Sequence, residues 1–206
     1  MLEYFYQGGP IMYPLLFCSL LSLTIVVERT LFWIRERGNR DIRGLHRFMD
    51  LVEKNKLEEA REIAETTRDL IIRVMVCGMV HREFSVRDAL QMRADEEIAR
   101  MRRYLPVLDT MITLSPLLGI LGTVIGIIYS FKMLGSVGVD NPRLITAGIA
   151  QALITTAFGL IIAILSLIPY NYFIAKVEKA AHEVEQYGTN LEIIINKNNN
   201  TGKAPQ

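Results

Sequence analysis

A chain of 206 residues with 23 Lys+Arg against 22 Asp+Glu carries a net charge of +1. That balance excludes a strongly basic nucleic-acid binder and an acidic solvating tail. Two cysteines, Cys18 and Cys77, cannot build a disulfide framework, and His46, His81 and His182 lack zinc-type spacing.

In chain order, the first feature is Tyr4 to Val27, 24 residues without Asp, Glu, Lys or Arg. A helix needs about 20 apolar residues to cross a bilayer core. No Lys or Arg precedes Arg29 and no small-x-small cleavage site follows, so this stretch reads as a retained span rather than a signal peptide. Leu57 to Ala64 has helical spacing of its apolar residues. Leu70 to Val80 is apolar except for Arg73, too short to span, and suits a buried helix. Ser85 is the expected N-cap of a helix starting at Val86. That helix is expected to run through Met101 and Tyr104 and merge with the next span as one rod. A second charge-free stretch covers Thr110 to Phe131 (22 residues), and a third Leu144 to Ala175 (32 residues). Ala175 to Ile195 continues the third as a helix, and Asn196 to Gln206 is expected to be disordered. The expected class is an all-α membrane protein with three transmembrane helices and long cytoplasmic helical extensions.

Basic residues set the orientation. None lies in residues 1–28, 17 lie between Arg29 and Pro106, two between the second and third spans, and four from Lys176 onward. The long loop and the tail are therefore expected in the cytoplasm and the N-terminus outside. The expected segments are an outer N-terminus at 1–10, spans at 11–34, 107–134 and 144–174, a cytoplasmic helical domain at 35–106, an outer turn at 135–143 and a cytoplasmic tail at 175–206. Tyr4, Phe5, Tyr6 and Tyr13, then Phe32 and Trp33, then Tyr170, Tyr172 and Phe173, fall where rings favour the headgroup level.

Gly119, Gly122 and Gly126 share one face of the second span. Gly148, Ala152, Gly159 and Ala163 repeat the design in the third, and such faces allow close helix packing. The spans also carry Thr110, Thr113, Ser115, Thr123, Thr146, Gln151, Thr155 and Thr156. These polar groups read in two ways, as the lining of a polar lumen or as glue between helices. No carboxylate, Lys or His lies in the middle of any span, so a proton relay would need an acid from another molecule. No nucleophile, acid/base pair or metal set stands out, and the expectation is a protein that is not an enzyme and has no cofactor.

Three segments carry a family resemblance. They are Tyr6-Gln7-Gly8-Gly9-Pro10-Ile11-Met12-Tyr13-Pro14-Leu15 with Val27-Glu28-Arg29; Leu108-Asp109-Thr110 with Pro116-Leu117-Leu118-Gly119-Ile120-Leu121-Gly122-Thr123-Val124-Ile125-Gly126; and Ile149-Ala150-Gln151-Ala152-Leu153-Ile154-Thr155-Thr156-Ala157-Phe158-Gly159-Leu160 with Pro169-Tyr170-Asn171. Over residues 4–190 the chain resembles the MotA/TolQ/ExbB proton-channel family, in its three-span ExbB/TolQ branch. The resemblance implies a homopentamer in the bacterial inner membrane, with the second and third spans lining a pore. It implies an ExbD/TolR-type single-span partner supplying a membrane Asp, and a TonB- or TolA-type protein that receives the work. Thr123 and Thr156 match the family's pore-facing threonines, Thr155 is an added hydroxyl beside them, and Gln151 stands where the branch has Glu. Competing readings are a non-conducting membrane scaffold and a motility-type stator subunit. The process powered, and H+ against Na+, stay open at this stage.

Overall fold

The computed structural model describes residues 2–81, 85–137 and 142–201. Among them are eight helices and no strand: α1 (Leu2–Gln7), α2 (Met12–Gly38), α3 (Ile42–Glu53), α4 (Leu57–Thr66), α5 (Leu70–Val80), α6 (Val86–Arg102), α7 (Leu105–Val137) and α8 (Pro142–Thr201). Helices α2, α7 and α8 are long and apolar enough to cross a membrane. The expected turn at 135–143 falls in part outside the described residues.

The chain divides into two units. The first holds α1, α2 to Arg29, α7 and α8 to Phe173. Its inward positions recur every three or four residues, the period that keeps one helix face against a neighbour. On α2 they are Met12, Leu15, Cys18, Ser22, Ile25 and Arg29. On α7 they include Ser115, Gly119, Gly122, Gly126 and Ser130, and on α8 Gly148, Ala152, Thr155, Gly159, Ala163 and Ser166. Between α7 and α8 the interior is thus small and partly polar, whereas Leu15, Leu105 and Leu108 are large side chains buried elsewhere in the unit. Other large side chains face outward, among them Leu20, Leu23, Leu117, Ile128, Leu153, Leu165 and Ile168. A water-soluble core has the opposite distribution, whereas helices solvated by lipid tails gain most from close backbone approach.

The second unit holds the rest of α2, helices α3 to α6 and α8 from Ile174. Its core is conventional: Leu45, Phe48, Val52, Ile71, Ile72, Val74 and Met75, with Val177, Val184, Leu191 and Ile195 of α8. The sequence places a capping residue before three of its helices. Asp41 accepts from the Gly44 N–H (2.8 Å), Asp69 from Ile71 (2.8 Å) and Ser85 from Asp88 (3.2 Å). Buried Asp69 also accepts from the Asp41 N–H at 2.8 Å and faces Arg40, whose guanidinium reaches Glu183 of α8. Glu97 is buried beneath Arg73, Arg93 and Arg100.

Helices α4 and α5 and the Ser85 cap match the sequence reading. The turn between α1 and α2, where Gly9 adopts φ +70°, lies ahead of residue 11, the expected start of the first span. Two expectations change. The expected rod from Val86 into the second span is broken, because Arg103 turns extended (ψ 133°) and Tyr104 takes φ +67°. Tyr104 places its ring 5.7 Å from the Arg29 guanidinium, a cation–π contact at the start of α7. The expected disorder from Asn196 gives way to helix as far as Thr201, and the Asn198 side-chain amide donates to the Val52 carbonyl at 3.1 Å.

Candidate functional site

The polar features of the spans converge on the seam between α7 and α8. The two helices run antiparallel there. A Cβ on Gly126 would lie 2.7 Å from the Gly148 oxygen and 3.0 Å from the Ala152 Cβ. One on Gly119 would lie 3.0 Å from the Thr156 Cα, and one on Gly159 would lie 2.5 Å from the Ser115 oxygen. Gly122 faces the Thr155 side chain directly. The neighbours are mostly backbone atoms, so the helices touch main chain to main chain. Glycine is required by that closeness rather than by any unusual dihedral angle.

The seam's hydroxyls are satisfied locally, as a low-dielectric interior demands. Ser115 donates to the Met111 carbonyl (2.7 Å), Ser130 to Gly126 (3.0 Å) and Ser166 to Ile162 (2.8 Å). Thr155 is fully buried and donates to the Ala152 carbonyl at 2.9 Å. Thr156 differs, since its hydroxyl donates across the seam to the Gly119 carbonyl at 3.0 Å. Thr123, one residue beyond Gly122, is half-buried and donates to the Ile120 carbonyl at 2.6 Å. Thr110 and Thr113 are exposed and bond back to the Pro106 and Asp109 carbonyls.

The structure therefore brings Thr155, Thr156, Gly119 and Gly122 together, with Thr123 at the edge of the same cluster. Gln151 stands apart from it. The Gln151 amide lies against Gly9, in the turn that precedes α2. Sequence reasoning missed Ser130 and Ser166. Ser130 lies four residues after Gly126 and could have been found by extending the glycine stripe one turn further. Among the described residues no group of three or more His, Cys, Asp or Glu is arranged to hold a metal ion.

Three long apolar helices, two of them zipped by glycine and dotted with hydroxyls, define a polytopic membrane protein. A sequence model of the MotA/TolQ/ExbB proton channel family matches residues 47–186. The chain is 38% identical over 201 residues to a biopolymer transport protein named ExbB-like 1 of Synechocystis sp., covering 94% of this chain and 78% of that one. It is 33% identical over 165 residues to the biopolymer transport protein ExbB1 of Vibrio cholerae (77% and 72% covered). It is 34% identical over 109 residues to the Tol-Pal system protein TolQ of Pseudomonas aeruginosa (53% and 47% covered). The chain belongs to the MotA/TolQ/ExbB proton channel family, in its ExbB/TolQ branch.

Proposed function

We propose that this chain is the channel subunit of an inner-membrane complex that turns proton motive force into mechanical work. Five copies surround a central pathway, with the N-terminus on the periplasmic side. The middles of the spans hold no carboxylate, Lys or His, so the proton carrier is a carboxylate on an ExbD/TolR-type single-span partner. The work passes to a periplasm-spanning protein of the TonB or TolA type, for outer-membrane transport or envelope maintenance.

The observation that carries this reading is the pair of half-buried hydroxyls, Thr123 and Thr156, at the edge of a charge-free, glycine-packed seam. Such groups contact water and a carboxyl group without competing for its proton. Thr155 and the glycines Gly119, Gly122, Gly126, Gly148 and Gly159 hold the helices at the spacing that exposes those hydroxyls. The test is proton flux into vesicles holding the chain with its single-span partner. Thr156→Val should lower flux at least about tenfold, the scale of one lost polar contact to a reacting group, while the complex still assembles. The bond from Thr156 to the Gly119 carbonyl favours a second reading, a scaffold whose threonines only bind helices together. Under it, flux is absent in the unaltered complex and Thr156→Val leaves partner anchoring intact.

A further inference from the structure

Gln151 is the one primary amide within the charge-free stretch of α8 up to Pro169. Leaving such an amide without polar company in hydrocarbon costs about 1–3 kcal/mol on protein scales, so what it meets is informative. The structure sets it against the Gly8–Pro10 turn. A Cβ built on Gly9 would strike the Gln151 Nε2, with the Gln151 Cδ at 2.9 Å and Oε1 at 3.4 Å. Gly9 is also at φ +70°, where an L side chain is strained. A Cβ on Gly8 would strike the Met12 side chain and approach the Ile154 Cγ2 at 3.5 Å. Gln151 and Ile154, three residues apart on α8, thus face the same turn.

The turn is well built on its own side. The Gly9 N–H donates to the Tyr6 carbonyl at 3.3 Å, and the Met12 N–H to the Gly9 carbonyl at 3.1 Å. Phe5 of α1 packs edge-on against Tyr13 of α2, with ring centroids 5.5 Å apart. Two consecutive glycines and a left-handed backbone make a concave surface with no side chain of its own. A flat amide fits that surface, and a larger residue at position 9 would evict it.

We propose that Gly8-Gly9-Pro10 and Gln151 form a clasp that seats the N-terminal turn on α8, with Gln151 as a positioning residue for the start of the chain. The Gln151 amide is neutral, so it occupies that seat without needing a counter-charge. An ionised glutamate at this position would bring a charge into the same half-buried seat, where burial disfavours it. A protonated glutamic acid is neutral again and nearly the shape of the amide. The clasp therefore predicts that Gln151→Glu opens at neutral pH and closes again in acid, which a purely steric contact would not do. The inference stands apart from the proposed function, because it involves this chain alone.

The first measurement is hydrogen–deuterium exchange of the purified full chain, followed over residues 6–13. Gln151→Ala should speed exchange there about tenfold, the effect of about 1.4 kcal/mol, while residues 45–52 of the second unit keep their protection. Gln151→Glu should match Gln151→Ala at pH 8 and approach the parent at pH 5, after correction for the intrinsic rate. The second measurement places cysteines at Gly8→Cys and Ile154→Cys in a Cys18→Ser, Cys77→Ser background. An oxidant should join them within one chain, several-fold more slowly when Gln151→Ala is added. Unchanged exchange in Gln151→Ala, or identical behaviour of Gln151→Glu at both pH values, overturns the clasp even if the cysteine variant cannot be made.

Discussion

Gly159→Ala is the most stringent probe of the α7–α8 seam. Alanine is the better helix former, by about 0.8–1.0 kcal/mol, so on α8 alone the change should stabilise. Across the seam, the new methyl would stand 2.5 Å from the Ser115 oxygen and 3.2 Å from the Gly119 Cα. Both are backbone atoms and cannot rotate away. Relief to an ordinary contact needs the helices to part by about 1 Å, against an optimum of about 3.5–4.0 Å between carbons. That displacement would stretch the bond from Thr156 to the Gly119 carbonyl, now 3.0 Å, beyond hydrogen-bond range. Overpacking costs about 1–3 kcal/mol, and the lost bond about 1 kcal/mol more. The propensity gain offsets part of this, leaving a net loss of about 1–3 kcal/mol. Gly135→Ala is the control, because nothing lies within 4 Å of its Cβ position. Thermal unfolding of the purified chain in detergent should separate the two variants, with Gly159→Ala lower and Gly135→Ala equal to or above the parent. Equal midpoints for both would refute backbone contact at this seam.

Asp69→Ala removes an α5 cap, the acceptor for the Asp41 N–H and the anion facing Arg40 in one step. Loss of the cap costs about 0.5–2 kcal/mol, while Arg40 keeps its pair with Glu183, so limited proteolysis should cut the second unit faster, and Asp69→Asn should recover part of the protection. Ser22 buries a hydroxyl oxygen that has no hydrogen-bond partner among the described residues. Ser22→Ala should leave the unfolding midpoint unchanged or raise it, since an unsatisfied buried group costs about 1–3 kcal/mol; a clear drop would mean that the hydroxyl is paired. Asn198→Ala should release the end of α8 from the Val52 carbonyl, seen as faster exchange beyond residue 191 with little change elsewhere.

The charge pattern made the three long helices legible, because no soluble helix needs 22 to 32 consecutive residues without a charge. The glycine stripe was legible for the same reason of spacing, as Gly119, Gly122 and Gly126 have few other uses at three- and four-residue intervals. The break before α7 was not. Tyr104 takes φ +67° without the glycine or asparagine that usually signals such a turn, and the Arg29 ring contact that accompanies it joins residues far apart in sequence. The helix beyond Asn196 was hidden by its polar composition. Its anchor on Val52 is a tertiary contact that local propensity does not encode. Gln151 was legible as an oddity within a span, but its neighbour in the N-terminal turn was not.

The adjacent threonines of α8 show why a one-residue distinction matters at this site. Successive residues on a helix point about 100° apart, so Thr155 and Thr156 cannot both enter the seam. Thr155 takes the inward place against Gly122 and is fully buried. Thr156 is turned to the flank, half-buried, with its hydroxyl reaching back to the Gly119 carbonyl. Thr123 occupies the corresponding flank of α7, with its own hydroxyl committed to the Ile120 carbonyl. Both flank hydroxyls therefore spend their proton on the backbone and keep lone pairs for whatever lies beside the seam. A group that donates, such as a protonated carboxyl or a water, is accommodated as the helices stand. A carboxylate, which needs donors, is accommodated only if a threonine first lets go of its carbonyl.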